Sequence, residues 1–245
     1  MKKKRVVSQA GLLAISALFL WVFPSTAHAE GWDNSSGEWR YLDSTNNAVS
    51  DAWRKSGDAW YYLGDDGNMV KDSIVTIGDN SYYLDVNGAM AANRWIQTKD
   101  DDDNEGWFFF GPDGKAYKDG RVYAREINGK KYLFDEDGVM QTGFFDAEGN
   151  AVEDENPFKT AVYCFGDDGA MLQDQWLLYS QVGENPGYSE LAQRNYSEYD
   201  EMWLYFGSNG RKYAASSTDR SKQREINGKD YLFDENGVMI PQLSL

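Results

Sequence analysis

Histidine and cysteine are nearly missing, with one of each in 245 residues. A single cysteine allows no intrachain disulfide, and Cys164 sits in the apolar run AVYCFG, where it reads as a small buried hydrophobe. There is no CxxC pair and no Gly-rich phosphate loop. The usual core residues are scarce too: Leu, Ile, Val and Phe together make up about a fifth of the chain. That excludes a doubly wound α/β domain built on Val/Ile/Leu strand runs. Basic residues number 24 against 40 acidic ones, for a net charge of −16. Such a balance argues against binding a nucleic-acid backbone. Low aliphatic content with high charge borders on a disordered composition. The aromatics contradict that reading, with 9 Trp, 16 Tyr and 12 Phe. The apolar surface has moved from aliphatic chains to rings.

The first 29 residues differ from the rest. Lys2, Lys3, Lys4 and Arg5 precede the apolar run Ala10–Phe23, and Ala27-His28-Ala29 has the form of a cleavage site. This is the pattern of a secretory signal peptide over 1–29, too short in its apolar run for an ordinary membrane span. It holds four of the basic residues and none of the acidic ones, so 30–245 carries −20. The only histidine leaves with it. A chain without histidine has no Ser-His-Asp or Cys-His catalysis and no His-containing zinc site.

Self-comparison organises the remainder. REINGKKYLFDEDGVM (Arg125–Met140) recurs as REINGKDYLFDENGVM (Arg224–Met239), with fourteen of sixteen positions identical. VTIGDNSYYLDVNGAM (Val75–Met90) is a weaker third copy. Related units are WYYLGDDGNM (Trp60–Met69), WFFFGPDGKAY (Trp107–Tyr117), VYCFGDDGAM (Val162–Met171) and WLYFGSNGRKY (Trp203–Tyr213). WRYLDSTNNAV (Trp39–Val49) belongs with them but lacks the glycine. An earlier Trp opens three of the units, and its spacing to the next Trp grows from 7 (Trp53 to Trp60) to 12 (Trp95 to Trp107) and 27 (Trp176 to Trp203). The polar inserts near 99–106 and 180–201 account for the growth.

Aromatic runs flanking Asp-Gly or Asn-Gly signal hairpins, since a primed turn needs positive φ at both central positions. Gly67, Gly88, Gly114, Gly138, Gly169, Gly210 and Gly237 are the expected turn glycines. Gly78, Gly129 and Gly228 are expected to turn the chain between hairpins. No ten-residue stretch of 30–245 keeps a 3.6-residue apolar period, so almost no helix is expected. Lone hairpins are marginal in water and must bury their rings against neighbours. The fold class is therefore all-β, a solenoid of stacked two-stranded hairpins with an aromatic core.

These units resemble the cell-wall-binding repeats of Gram-positive surface proteins, a group that includes choline-binding modules, glucan-binding repeats and the C-terminal repeats of clostridial toxins. The resemblance covers 31–241. It implies a secreted, non-catalytic protein held non-covalently at the cell wall or cell surface, without a cofactor. In choline-binding members, a cage of rings and a methionine between successive hairpins takes the quaternary ammonium of teichoic-acid choline. Carried over by position, Trp32, Trp39, Trp53, Trp60, Tyr62, Met69, Tyr83, Met90 and Trp95 are the ligand-binding candidates. Beyond Trp107 the pattern departs: Phe144 replaces an opening Trp, Val162 replaces a strand Trp, and KYLF and DYLF carry no Trp. Two other readings stand beside choline. One is a glucan or polysaccharide binder whose rings stack on sugar faces. The other is a surface adhesin with the repeats as scaffold and the 180–201 insert contacting a protein partner.

The acidic run invites a metal. With Asp101, Asp103, Glu105 and Gly106 as positions 1, 3, 5 and 6 of a calcium loop, position 12 is Pro112 rather than Glu, and the template fails. No metal site is expected. The carboxylates fall in turns and inserts, where Asp65, Asp66, Asp167 and Asp168 have a turn-forming role.

Overall fold

A computed structural model describes residues 29–99, 105–118, 124–152, 160–179 and 201–241. The expected signal peptide and most of both polar inserts lie outside the described residues. Every named element is a β-strand, and the strands fall in two compact units, divided after Tyr117.

The first unit holds four antiparallel hairpins. They are β1 (Gly31–Asp33) with β2 (Arg40–Leu42), β3 (Ala52–Ser56) with β4 (Ala59–Leu63), β5 (Ser73–Ile77) with β6 (Asn80–Leu84), and β7 (Arg94–Lys99) with β8 (Glu105–Phe110). In the second unit β9 (Arg125–Ile127) pairs with β10 (Lys130–Tyr132), β11 (Gly143–Phe145) with β12 (Tyr163–Phe165), and β13 (Gln175–Leu178) with β14 (Trp203–Phe206). The last sheet has three strands, β15 (Lys222–Ile226), β16 (Lys229–Phe233) and β17 (Met239–Ile240).

The turns differ from the expectation in a way that sets the phase of the repeat. Asn128–Gly129 and Asn227–Gly228 have positive φ at both residues and close β9–β10 and β15–β16 as primed turns. Gly57 and Gly78, alone positive in their pairs, close β3–β4 and β5–β6. Gly78, Gly129 and Gly228 thus lie inside hairpins rather than between them. The Asp-Gly and Asn-Gly turns come after the second strand. There only the glycine is left-handed, as in Gly67 with φ 77°, and the Gly67 N–H donates to the Gly64 carbonyl at 3.0 Å. This is a three-residue loop ending in a left-handed residue, not a primed turn. Asn46, at φ 64°, fills the glycine position in the unit that lacks it, because asparagine tolerates that region.

A side-chain oxygen, a carboxylate except at Asn209, fixes each such turn in one of two ways. Where the turn begins with Asp, that residue accepts the backbone: Asp85 Oδ1 takes the N–H groups of Asn87 (2.8 Å) and Ala89 (3.0 Å), as Asp135 Oδ1 takes those of Asp137 and Val139. Where it begins with Gly, the third residue substitutes, Asp66 accepting from Asn68 N–H at 2.9 Å and Asp168 from Ala170 N–H at 3.0 Å. Hydrogen bonds from the Asn47 backbone and the Thr45 hydroxyl hold Asp43 below the usual carboxylate range, and Ser35 does the same for Asp33. Groups whose folded pKa is depressed add stability above their unfolded value and lose it as pH falls through the folded one. At the other end, burial and the hydrogen bond donated to Asp72 (2.7 Å) push the Tyr83 phenol up to about 12, a contribution lost as pH rises above about 10. The unfolding midpoint is expected to decline below about pH 4 and above about pH 10. A thermal melt series over pH checks this, and Asp43→Asn should flatten the acid side.

After five of these turns the returning segment binds two hairpins at once. Met69 N–H donates to the Trp39 carbonyl of the preceding hairpin (2.7 Å), while Val70 N–H donates to Tyr62 of its own (2.9 Å). Met90 to Trp60, Ala116 to Ser81, Met171 to Lys131 and Lys212 to Val162 repeat the first bond at 2.8 Å. Backbone bonds therefore join successive hairpins within each unit, and large side chains fill the space between. Leu63, Leu84, Phe108 and Phe110 form the interior of the first unit, and Phe134, Leu204, Phe206, Phe233 and Val238 that of the second.

Candidate functional site: aromatic cages between hairpins

Trp32 lies on β1 directly opposite Tyr41, and their ring centroids are 5.4 Å apart at 89°. With that ring beneath it, Trp32 presents its remaining surface to Trp39 (6.5 Å, 81°) and to Tyr61 of the next hairpin (5.4 Å, 72°). Trp39, just before β2, is 40% exposed. The three rings meet edge to face around a cleft of about 440 Å³, and Met69 adds its thioether to the wall. Ser56, Lys71, Val86 and Asn87 complete the lining. Met69 is placed there by Gly88: a Cβ at Gly88 would lie 2.4 Å from the Met69 sulfur, so the side chain rests on the bare backbone of the following turn. Rings of this kind offer negative faces to a cation, which suits a quaternary ammonium because it has no N–H to donate.

One repeat on, Trp53 lies opposite Tyr62 (5.2 Å) and meets Tyr82 at 5.1 Å and 69°, as Trp32 meets Tyr61. Trp60 is 42% exposed and Met90 occupies the Met69 position, resting on Gly114. The Lys55 ammonium stands 6.0 Å from the Trp60 centroid, so this ring already faces a cation of the chain itself.

Tyr62 does not reach a cleft. It is buried beside Trp53, and burial together with Asp51 raises its phenol pKa. Tyr83 is buried likewise, 5.9 Å from Phe110, with its hydroxyl on Asp72. Trp95 packs on Phe109 at 5.2 Å within its own hairpin. The rings that do face the clefts are the preceding tyrosines, Tyr61 and Tyr82. Alternate strand residues point to opposite faces, so WYYL offers two tyrosines of which one is support and the other is surface.

The second unit contains a constellation that the departing pattern hid. Trp176 and Trp203 stand 6.5 Å apart at 87°, close to the Trp32–Trp39 geometry, and Tyr231 meets Trp176 at 4.9 Å and 64°. Tyr205 supports Trp176 from its own hairpin at 5.0 Å, as Tyr41 supports Trp32. Met239 packs against the same cluster. Trp203 Nε1–H donates to Glu201 at 2.8 Å, which brings a carboxylate to the rim. Tyr231 in DYLF falls in the register of Tyr61 in WYYL, and that alignment was the available signal. Among the described residues no group of acidic, cysteine or histidine side chains could hold a metal ion.

Stacked hairpins with edge-to-face rings and a methionine wall between them leave clefts whose linings suit small cationic or apolar groups. Residues 49–95 match the profile of the choline-binding repeat, and residues 125–140 and 224–239 match that of the cell wall binding repeat. These three segments are similar to the repeats of those families. No curated protein sequence matches it. Among solved structures it is similar to the modular autolysin LytC of Streptococcus pneumoniae (24% identity, TM-score 0.56, covering 87% of this chain and 38% of that one). It is also similar to choline binding protein F of that organism (19%, TM-score 0.54, 87% and 58%) and to the choline-binding domain of its CbpL (20%, TM-score 0.50, 89% and 100%). At such identities the likeness is one of fold. The chain spans 38% of the autolysin's length.

Proposed function

We propose that the chain is a non-catalytic, secreted surface protein that binds choline of cell-wall teichoic acid through cages at Trp32/Trp39/Tyr61/Met69 and Trp176/Trp203/Tyr231. The convergence of Trp32, Trp39 and Tyr61 on one cleft carries this reading. Each ring face contributes about 0.5–2 kcal/mol to holding a quaternary ammonium, so three rings give affinity in the millimolar range once association costs are met. Several weak cages on one chain then hold a wall polymer that carries many cholines far more tightly than any one cage. The excess of acidic residues adds long-range attraction, screened beyond about 8–10 Å at physiological salt. Trp53, Trp60, Tyr82 and Met90 form a weaker third site, where Lys55 competes for Trp60. Rings that meet at 72–81° wall a pocket rather than lie flat as a platform, which favours choline over a glucan face.

Retention on a quaternary-amine resin and elution with free choline is the expected behaviour. Failure to bind that resin at low salt, together with retention on insoluble glucan, would overturn the proposal in favour of sugar binding.

A further inference from the structure

The methionine that walls each cage comes from a fixed place, the residue that bridges back to its own second strand after the turn. The pairs Leu63–Met69, Leu84–Met90, Phe134–Met140 and Phe165–Met171 mark it. In one repeat of the second unit that place holds a lysine, in the pair Phe206–Lys212. The backbone is unchanged: Lys212 N–H donates to the Val162 carbonyl at 2.8 Å, as Met69 N–H does to Trp39. The stem of Lys212 also crosses the next turn glycine, with its Cδ and Cε 2.8 and 2.9 Å from where a Gly237 Cβ would stand. Lys212 therefore enters the cleft that corresponds to the cage of the first unit.

That cleft exists, with a volume of about 340 Å³ and walls that include Val162, Arg211, Lys212, Ala214 and Ala215. Each change from the cage removes affinity for a cation. Val162 stands where Trp39 stood and the buried Leu204 where Tyr61 stood, so of the three rings only Phe144, buried against Tyr179, remains in the place of Trp32. Lys212 replaces the thioether and Arg211 replaces Asn68, so two cationic side chains take their place. Arg211 is held in position: its Nη1 donates to the Tyr163 hydroxyl at 2.9 Å and its guanidinium lies 5.5 Å from the centre of that ring. The acidic groups facing Lys212 are Glu235, on the cleft wall, and Asp234 of the same turn, whose Oδ1 accepts the Asn236 and Val238 backbone N–H groups.

We propose that this cleft is an anion site that takes a singly charged phosphate diester between Arg211 and Lys212, in the register where the first unit takes a quaternary ammonium. A guanidinium and an ammonium flanking one cleft suit phosphate oxygens, with charge-assisted hydrogen bonds from both. The apolar walls suit the ester arms, and the two nearby carboxylates disfavour a doubly charged anion. Burial brings the Lys212 ammonium down to about 7, with Asp234 opposing the shift. An anion beside it favours the charged form, so binding takes up a proton near neutrality. The source of the phosphate rests on the proposed function, since a teichoic acid carries diesters along with its choline. The anion site itself does not depend on it.

The probe is dimethyl phosphate, whose charge is constant from about pH 5 to 9, titrated into the full chain at low salt and followed by the Lys212 13Cε resonance. The expected result is saturable binding that raises the Lys212 midpoint and weakens as pH rises from 6 to 9. Calorimetric titration with the same probe reads the variants: Lys212→Met restores the residue found elsewhere in this register and should weaken binding at least tenfold, while Trp39→Ala leaves it unchanged. Choline titrated in parallel should show the reverse dependence, which separates failure here from failure of the cages. Inorganic phosphate and a glycerophosphodiester distinguish the sources, the diester being expected to bind better. No shift of the Lys212 resonance with any of the three probes, or equal binding by Lys212→Met, would overturn the proposal.

Discussion

Trp39→Ala is expected to weaken choline binding at the first cage about tenfold, and Trp203→Ala to do the same at the cage in the second unit. A ring–cation contact of the order of 1.4 kcal/mol corresponds to that factor. Trp39 is the informative choice because its side chain is 40% exposed, while its structural duty, accepting the Met69 N–H, belongs to the backbone carbonyl and survives truncation. Trp32→Ala would confound the two effects, since that ring also packs on Tyr41 and Tyr61. Tyr62→Phe is the control. The Tyr62 hydroxyl faces Asp51, away from the cleft, so choline affinity should not move. Isothermal titration of the four proteins decides the matter. Equal affinities for wild type and Trp39→Ala at this site would remove Trp39 from the cage.

The second large effect is on stability. Gly88→Ala is expected to destabilise the chain by about 2–5 kcal/mol. A Cβ in the left-handed region costs about 1–2 kcal/mol, and displacing a packed side chain adds about 1–3. Both apply at Gly88, with φ 82° and the Met69 sulfur 2.4 Å from the new atom. Gly57 separates the two contributions: φ is 60° but nothing lies within 4 Å, so Gly57→Ala should show only the backbone cost. Gly88→Ala should also weaken choline binding by moving Met69 off the cleft wall, whereas Gly57→Ala should not. Denaturant titration reads the first difference and calorimetry the second. Equal destabilisation by the two substitutions would mean that the methionine does not rest on the glycine.

The hairpin array was legible in the sequence because the repeat preserves what a hairpin needs: paired rings, a carboxylate and a left-handed residue at fixed spacing. Its phase was not. Asp-Gly after an aromatic run looks like a primed turn, yet Asp66 and its counterparts keep negative φ because the carboxylate turns back onto the backbone N–H two residues on. The two-residue closures fell instead to Gly57, Gly78, Asn128–Gly129 and Asn227–Gly228. The same half-step separates Tyr61 from Tyr62. Trp53 and Tyr62 face one another across a strand pair, and that register, absent from the one-dimensional pattern, sends Tyr62 inward and Tyr61 to the cleft. Trp176 and Trp203, a spaced Trp pair in the sequence, are not carried over as candidates because the pattern departs beyond Trp107. Trp176↔Tyr205 and Leu178↔Trp203 show that the residues flanking the insertion pair as an ordinary hairpin.

The cages and the basic cleft occupy equivalent positions in one scaffold and differ by a few side chains. Trp39, Tyr61 and Met69 favour a cation, and Val162, Leu204 and Lys212 remove that preference. The repeat fixes the backbone through its turns and interhairpin hydrogen bonds. Specificity is then set at the second-strand and returning positions, which the array can vary one unit at a time.

A calorimetric titration with choline and with its neutral isostere 3,3-dimethylbutanol decides whether the cages hold charge or only apolar surface. The two have nearly the same shape and apolar area, so only the charge distinguishes them. Cation–π cages predict millimolar choline binding, at least tenfold weaker binding of the alcohol, and loss of most choline binding in the Trp39→Ala/Trp203→Ala double variant. Equal binding of choline and the alcohol, or choline binding unchanged in the double variant, would contradict the account.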